Sequence, residues 1–252
     1  MRFIIIGDVH GMLAELKALI QKVALRPDDC VVFVGDLVDK GPLPEGVIRY
    51  VKALSETQSV VVVEGNHEEK HRRFRKSQNM AMKGAEEISR VYDALTEEER
   101  AFMASFVPFH RIEAHGLLIV HAGITGDMKH FPESVEEIYA LSGKRRKAFE
   151  RIMRTRYLDP ETGKMLELGK NQPGDPFWAE VYDGRFGHVI FGHEPLDEVM
   201  FCKHTTGIDT SAVYGGKLTA LVFDEVGAKP EVVQVQAEQS FANRLLDVEA
   251  SA

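Results

Sequence analysis

Short apolar runs alternate with amphipathic stretches along the first half of the chain. Phe3-Ile4-Ile5-Ile6 and Val31-Val32-Phe33-Val34 read as buried strands, and Val60 to Val63 as a third. Between them, Met12 to about Leu25 sets Leu13, Leu16, Leu19, Ile20 and Val23 on one helical face. Glu45 to Leu54 does the same with Val47, Ile48, Val51 and Leu54. Thr96-Glu97-Glu98-Glu99 has the form of a capping box opening a helix to about Phe106. Leu117 to Val120 is a fourth strand and Val189-Ile190-Phe191 a later one. Strands alternating with helices predict parallel βαβ units and a largely buried sheet.

The rhythm lapses from Gly126 to about Arg185, where Glu133 to Arg156 reads as helix and two Pro/Gly-rich stretches read as turns. This segment is expected to be a lid or insertion. Beyond it, Ile208-Asp209-Thr210 and Leu218 to Phe223 flank Gly215-Gly216, a hairpin signal. Glu231 to Val235 alternates as an edge strand would. One domain is expected over 1–236, followed by a tail, 237–252.

Composition narrows the class. The chain has 252 residues, 44% apolar and 28% charged, with net charge -8. That balance is globular, and its acidity argues against a general nucleic-acid surface. Two cysteines, Cys30 and Cys202, build no disulfide framework and lack metal-type spacing. The first apolar run is too short for a signal peptide, and no stretch approaches the ~18 apolar residues of a membrane helix. A cytoplasmic protein with no membrane partner is expected; the sequence does not fix its oligomeric state.

The chemistry lies where the strands end. Gly35-Asp36-Leu37-Val38-Asp39-Lys40-Gly41-Pro42 sends two carboxylates out on one short loop. Four other apolar runs also end in glycine or alanine beside ligand-type residues. Together they offer Asp8, His10, Asp36, Asn66, His121 and His193: two carboxylates, three imidazoles and an amide oxygen. Mixed N/O donors without thiolate suit manganese, with iron or zinc as alternatives, better than calcium. Six donors are too many for one catalytic ion, whereas two ions sharing Asp36 would use them all. Asp8 and His10 would lie on one side of an extended loop. His67 would point away from Asn66, within reach of Asp39, and the pair suggests a general-acid dyad. Arg156, and one of Arg72 or Arg73, are candidates to hold phosphoryl oxygens. His110, His115, His130, His188 and His204 read as surface or core histidines, and Lys144 to Lys147 as a solvated face.

These blocks resemble the calcineurin-like metallophosphoesterases, within them the phosphoprotein phosphatase branch and its bacterial serine/threonine phosphatase relatives. Gly7-Asp8-Val9-His10-Gly11, Gly35 to Gly41, Gly65-Asn66-His67-Glu68, His121-Ala122-Gly123 and Gly192-His193 stand in the family's order, and Ile208 to Ala220 resembles that branch's closing block. The resemblance implies an α/β fold, a four-layer sandwich of two mixed sheets flanked by helices. It implies Asp8, His10 and Asp36 on one ion, and Asp36, Asn66, His121 and His193 on the other. It implies direct attack by a metal-bridging hydroxide. Lys40 stands where the family has arginine, leaving a point charge as the fourth phosphate-binding candidate. Ser211 replaces a usual glycine. Glu68 and Asp39 tilt the expected substrate towards phosphomonoesters, phosphoserine and phosphothreonine proteins included. The alternative is a hydrolase of dinucleoside polyphosphates or other nucleotides. A regulatory module with an inactive metal site is a third reading, and no ligand or acid is missing as it would require.

Overall fold

The structure is a computed structural model that describes residues 1–82 and 84–243. Its strands form two mixed sheets of five. The first sheet contains β1 (Phe3–Ile6), β2 (Cys30–Phe33), β3 (Ser59–Val62), β9 (Lys217–Phe223) and β10 (Glu231–Gln236) in the order β10-β9-β1-β2-β3. The second contains β4 (His110–Ile112), β5 (Leu117–Ile119), β6 (His188–Phe191), β7 (Met200–Phe201) and β8 (Thr205–Gly207) in the order β4-β5-β6-β8-β7. β1, β2 and β3 run parallel, as the βαβ pattern predicts, and so do β5, β6 and β8.

The strands are apolar on both faces because both faces are covered. Ile5, Val32 and Leu221 of the first sheet meet Ile119 and Ile190 of the second, making an apolar layer between the sheets. On the outer side of the first sheet, α1 (Leu13–Val23) and α2 (Pro44–Ser55) press Leu16, Leu19, Val47, Ile48 and Val51 onto Ile4, Ile6, Val31 and Phe33. Burying each such side chain contributes about 1.5–3 kcal/mol. α3 (Asn66–Ser77), α4 (Ala85–Ala94) and α5 (Glu97–Ala104) follow β3. The capping box forms: the Glu99 amide donates to Thr96 Oγ1 at 3.2 Å, and the Thr96 amide to Glu99 Oε2 at 2.7 Å.

The segment 126–185 supplies the fourth layer. Phe131, Ile138, Phe149, Ile152, Leu158, Phe177 and Trp178 pack in one cluster with Leu118, Val120, Val189 and Phe191 on the outer side of the second sheet. The single helix expected over Glu133–Arg156 is divided into α6 (Val135–Ala140), α7 (Gly143–Phe149) and a 3-10 turn, Glu150–Met153. Ser142 is extended and Gly143 has φ of 56°, so the chain turns there. α8 (Trp178–Val181) carries the fully buried Trp178.

The hairpin read at Gly215-Gly216 does not form. β8 lies in the second sheet and β9 in the first, so the glycine turn carries the chain between sheets. β10 is an edge strand of the first sheet, antiparallel to β9. Of the expected tail, Ala237 is buried and Phe241 bonds Val213 through its amide; residues 244–252 lie outside the described residues. No helix among the described residues is long and apolar enough to cross a membrane.

Candidate metal centre

The carboxyl ends of β1, β2, β3, β5 and β6 open towards one another, and the strand-end residues meet there. Their loops bend sharply. His10, Asp36, Asp39, Lys40 and His193 all take positive φ, between 45° and 69°. Non-glycine residues in that region are strained, and such strain concentrates at functional sites. His10 is therefore not in the extended loop that its spacing from Asp8 suggests. Its ring is aimed instead by Nδ1, which donates to Val38 O at 3.0 Å and leaves the Nε2 lone pair bare.

Asp36 sits at the centre. Its Oδ1 accepts from the His67 amide at 3.0 Å. Its Oδ2 lies 3.5 Å from His10 Nε2, 3.3 Å from His121 Nε2 and 4.0 Å from His67 Nε2. His121 donates through Nδ1 to Val34 O at 2.9 Å, which aims Nε2 at Asp36 and at Asn66 Oδ1, 3.0 Å away. His193 Nε2 is buried without a hydrogen-bond partner. The Asp8 carboxylate accepts from the His193 amide at 3.0 Å. Contact there is so close that a Cβ on Gly192 would stand 1.9 Å from Asp8 Oδ1.

Among the described residues, two groups of donors gather tightly enough to hold an ion: His10, Asp36 and His67, and Asp36, His121 and His193. They share Asp36. Asp8 is adjacent but outside the first group, where His67 stands in its place. Electrostatics favour a cation here. Burial, with Asp209 and Asp36 nearby, pushes the Asp8 carboxyl well above its usual range. Burial pushes Asp209 up to about 6. Burial holds His10 and His193 well below the ordinary histidine value, so both present neutral lone pairs. Burial also pulls on Asp36, but the facing His121 and His67 outweigh it and hold the carboxyl well below its ordinary value. An orphaned imidazole nitrogen, neutral histidines and crowded carboxylates fit divalent ions.

The scaffold around Asp36 is Glu68, one turn into α3. Its carboxylate accepts from the amides of Asp36, Leu37, Val38 and Gly65 at 2.8 to 3.2 Å. Asn66 and His67 open this helix and do not lie on an extended loop. His67 Nδ1 lies 2.7 Å from Asp39 Oδ2, so the dyad partners meet. A further histidine, His71, lies 2.8 Å from Asp39 Oδ1. The sequence reading passed over it, although it is one helical turn beyond His67 on the same face.

The basic candidates divide. Arg156 Nη2 donates to His193 O at 3.1 Å and its Nε to Glu194 at 2.6 Å, which places it at the rim of the centre. Lys40 donates to Tyr214 Oη at 2.7 Å and lies 5.1 Å from that ring's centroid. Arg72 and Arg73 are turned to an acidic network instead. Arg72 pairs with Glu64 at 2.6 Å and faces Glu69 and Glu150, while the exposed Arg73 faces Glu69. Arg154 joins them at Glu69, 2.7 Å away, so this network ties α3 to the 150–156 segment.

Carboxylates and neutral imidazoles converge at the shared edge of two facing sheets, a donor set suited to divalent ions. The chain belongs to the calcineurin-like phosphoesterase family, whose profile matches residues 1–199. It is 34% identical over 260 residues to the bis(5'-nucleosyl)-tetraphosphatase PrpE [asymmetrical] of Halalkalibacterium halodurans, covering 95% of each chain. It is 29% identical to the protein of that name from Bacillus thuringiensis, covering 96% of each. A crystal structure with a provisional diadenosine tetraphosphatase assignment matches with TM-score 0.73 at 25% identity, over 94% of this chain and 93% of that one. A Saccharomyces cerevisiae protein serine/threonine phosphatase shares the fold, with TM-score 0.61 at 17% identity, over 97% and 82%.

Proposed function

We propose that the chain is a two-metal hydrolase of dinucleoside polyphosphates that cuts a phosphoanhydride bond asymmetrically. The observation that carries this reading is likeness along the whole length: relatives bearing that activity in their names align over 95% and 96% of both chains. It reverses the tilt towards phosphomonoesters, which rested on Glu68 and Asp39. Both have work that any phosphoester or anhydride would need. Glu68 holds four backbone amides, and Asp39 holds two imidazoles.

Asp8, His10 and Asp36 would hold one ion, and Asp36, Asn66, His121 and His193 the other. Two divalent ions held there, manganese or else iron or zinc, would supply an activated water and neutralise phosphoryl oxygens. Arg156 at the rim orients the phosphoryl group through its planar fork. His67, held by Asp39 through Nδ1, presents Nε2 to the leaving oxygen and delivers the proton there.

The test is turnover with Mn²⁺ on diadenosine tetraphosphate beside a phosphoserine/phosphothreonine peptide, with Asp36→Asn as the blank. Faster dinucleotide turnover, giving a nucleoside triphosphate and a monophosphate, is expected. Faster peptide turnover would overturn the reading.

A further inference from the structure

Beside the centre lies a cavity of about 560 Å³, within the roughly 300–1,000 Å³ usual for small-molecule sites. Leu196, Asp197, Ser211, Tyr214, Ser240 and Asn243 line it. Its walls come from the loop that follows His193, the loop that follows Asp209 and residues 240–243. Leu196 is three residues beyond His193, and Ser211 two beyond Asp209. The Leu196 amide donates to Asp209 O at 2.9 Å, and Ser211 Oγ donates to Leu196 O at 2.8 Å, so the walls are tied together. Ser211 holds this bond at φ of 63°, a strained conformation for a residue with a side chain. The departure from glycine at this position thus has a local role.

Lys40 connects the cavity to the metal donors. It leaves the Asp36 loop and reaches Tyr214 Oη at 2.7 Å on the cavity wall. Its charge is also felt at Asp8, His10, His193 and Asp209. An ammonium between a metal centre and a cavity whose lining carries no cation suits a ligand with a polyanionic middle and an uncharged end. The lining suits a nucleoside at that end. The Tyr214 ring and Leu196 offer flat and apolar surface to a base. Asp197 offers a carboxylate that can accept from ribose hydroxyls, the pairing found in dinucleotide-binding folds. Ser240 and Asn243 offer donors and acceptors to a base edge.

We infer that this cavity is a nucleoside subsite, which takes one nucleoside of the substrate while Lys40 steadies the phosphates leading from it to the metals. This rests on the dinucleotide reading above, and the test keeps the two apart. Diadenosine tetraphosphate and inorganic tripolyphosphate, which has no nucleoside, are compared in wild type, Asp197→Ala and the cavity-filling Ser240→Phe. Both substitutions are at exposed positions, and thermal melts check the fold. The wild type should prefer the dinucleotide. In each variant the ratio of dinucleotide KM to tripolyphosphate KM should rise at least about tenfold, the loss of one good contact. Adenosine should compete with the dinucleotide in wild type and lose that competition in the variants. An unchanged KM ratio, with the wild-type preference intact, would overturn the subsite and leave the dinucleotide reading standing. A wild type that turns over tripolyphosphate as well as the dinucleotide would overturn both.

Discussion

His71 Nε2 donates to Asp39 Oδ1 at 2.8 Å, on the carboxylate oxygen opposite the one that holds His67. Burial would raise the Asp39 carboxyl, but the hydrogen bonds from His67 and His71 outweigh it and hold Asp39 well below the usual range. An ionised carboxylate can only accept, so both ring nitrogens carry the hydrogens. Asp39 is thus clamped from two sides within one helical turn. His71→Leu removes one side of the clamp and should slow turnover about tenfold with metal content intact, the scale of one charged hydrogen bond. His71→Gln, which keeps a donor, should recover most of the loss. If leucine and glutamine variants behave alike, the clamp does not matter to turnover.

His67→Gln should lower turnover about 10²–10⁴-fold on a phosphomonoester with a poor leaving group. The loss on diadenosine tetraphosphate should be smaller, because a nucleotide phosphate leaves with less need of a proton. Metal content should be unchanged, because in the proposed function Asp8, not His67, completes the first ion's ligands. A loss of equal size on both substrates would mean that His67 positions the substrate and does not supply the proton.

Asp36→Asn should cost both metal and activity. Removing an outer partner of a metal ligand costs about 10–100-fold, so a carboxylate shared by both donor groups should cost at least the upper figure. Metal analysis after gel filtration, read beside turnover, checks this. Two retained ions with full activity would remove Asp36 from the bridging position.

In the metal-free protein, Asp8 and Asp209 should cost stability as pH rises, while His10 and His193, held well below the ordinary histidine value, act in the opposite sense up to that value. Asp209 is pushed up to about 6, and Asp8 is raised well above its usual value. The folded state therefore prefers these carboxyls protonated. Their ionisation opposes folding from the ordinary carboxylate range upward, fully so above the raised values. Divalent ions compete with the same protons, so stabilisation by a fixed Mn²⁺ concentration should grow across that window. It should reach about 2.7 kcal/mol at a hundredfold excess over Kd. Thermal melts with and without Mn²⁺, from about pH 5 to 7.5, give the slope. A metal effect independent of pH would contradict the proton competition.

Far from the centre, Arg2 and Asp29 form a buried bidentate pair at 3.0 and 2.7 Å. Burial raises the Asp29 carboxyl, but Arg2 and the Arg26 amide outweigh it and leave it depressed. Asp29→Asn should cost about 1.5–3 kcal/mol in a denaturant melt at neutral pH. Because the folded value is depressed, the wild-type advantage is present above the ordinary carboxylate value and is lost as pH falls through the folded one. A difference that persists undiminished into strong acid would refute the ion-pair account.

Much of the centre is legible in the sequence because each donor stands beside a glycine or alanine where a strand ends. Asp36, His121 and His193 come together from residues 36 to 193 on that pattern alone. What escapes has physical reasons. Gly215-Gly216 carries a hairpin's local chemistry, and only tertiary pairing decides that its flanks join different sheets. Arg72 and Arg73 look like phosphate ligands until Glu69, Glu150 and Glu64 fold against them. The segment 126–185 has no strand–helix rhythm because its job is to bury Phe131, Phe149 and Trp178 against a sheet made elsewhere in the chain. The walls of the cavity beside the centre meet only after folding.

The Glu68 carboxylate fixes three successive amides of the Asp36 loop and the one at Gly65 through protein groups alone. The bed for the metals is therefore cast by the protein alone. Exchange of one divalent ion for another would then need no refolding of the loop, only a path to the edge of the sheets.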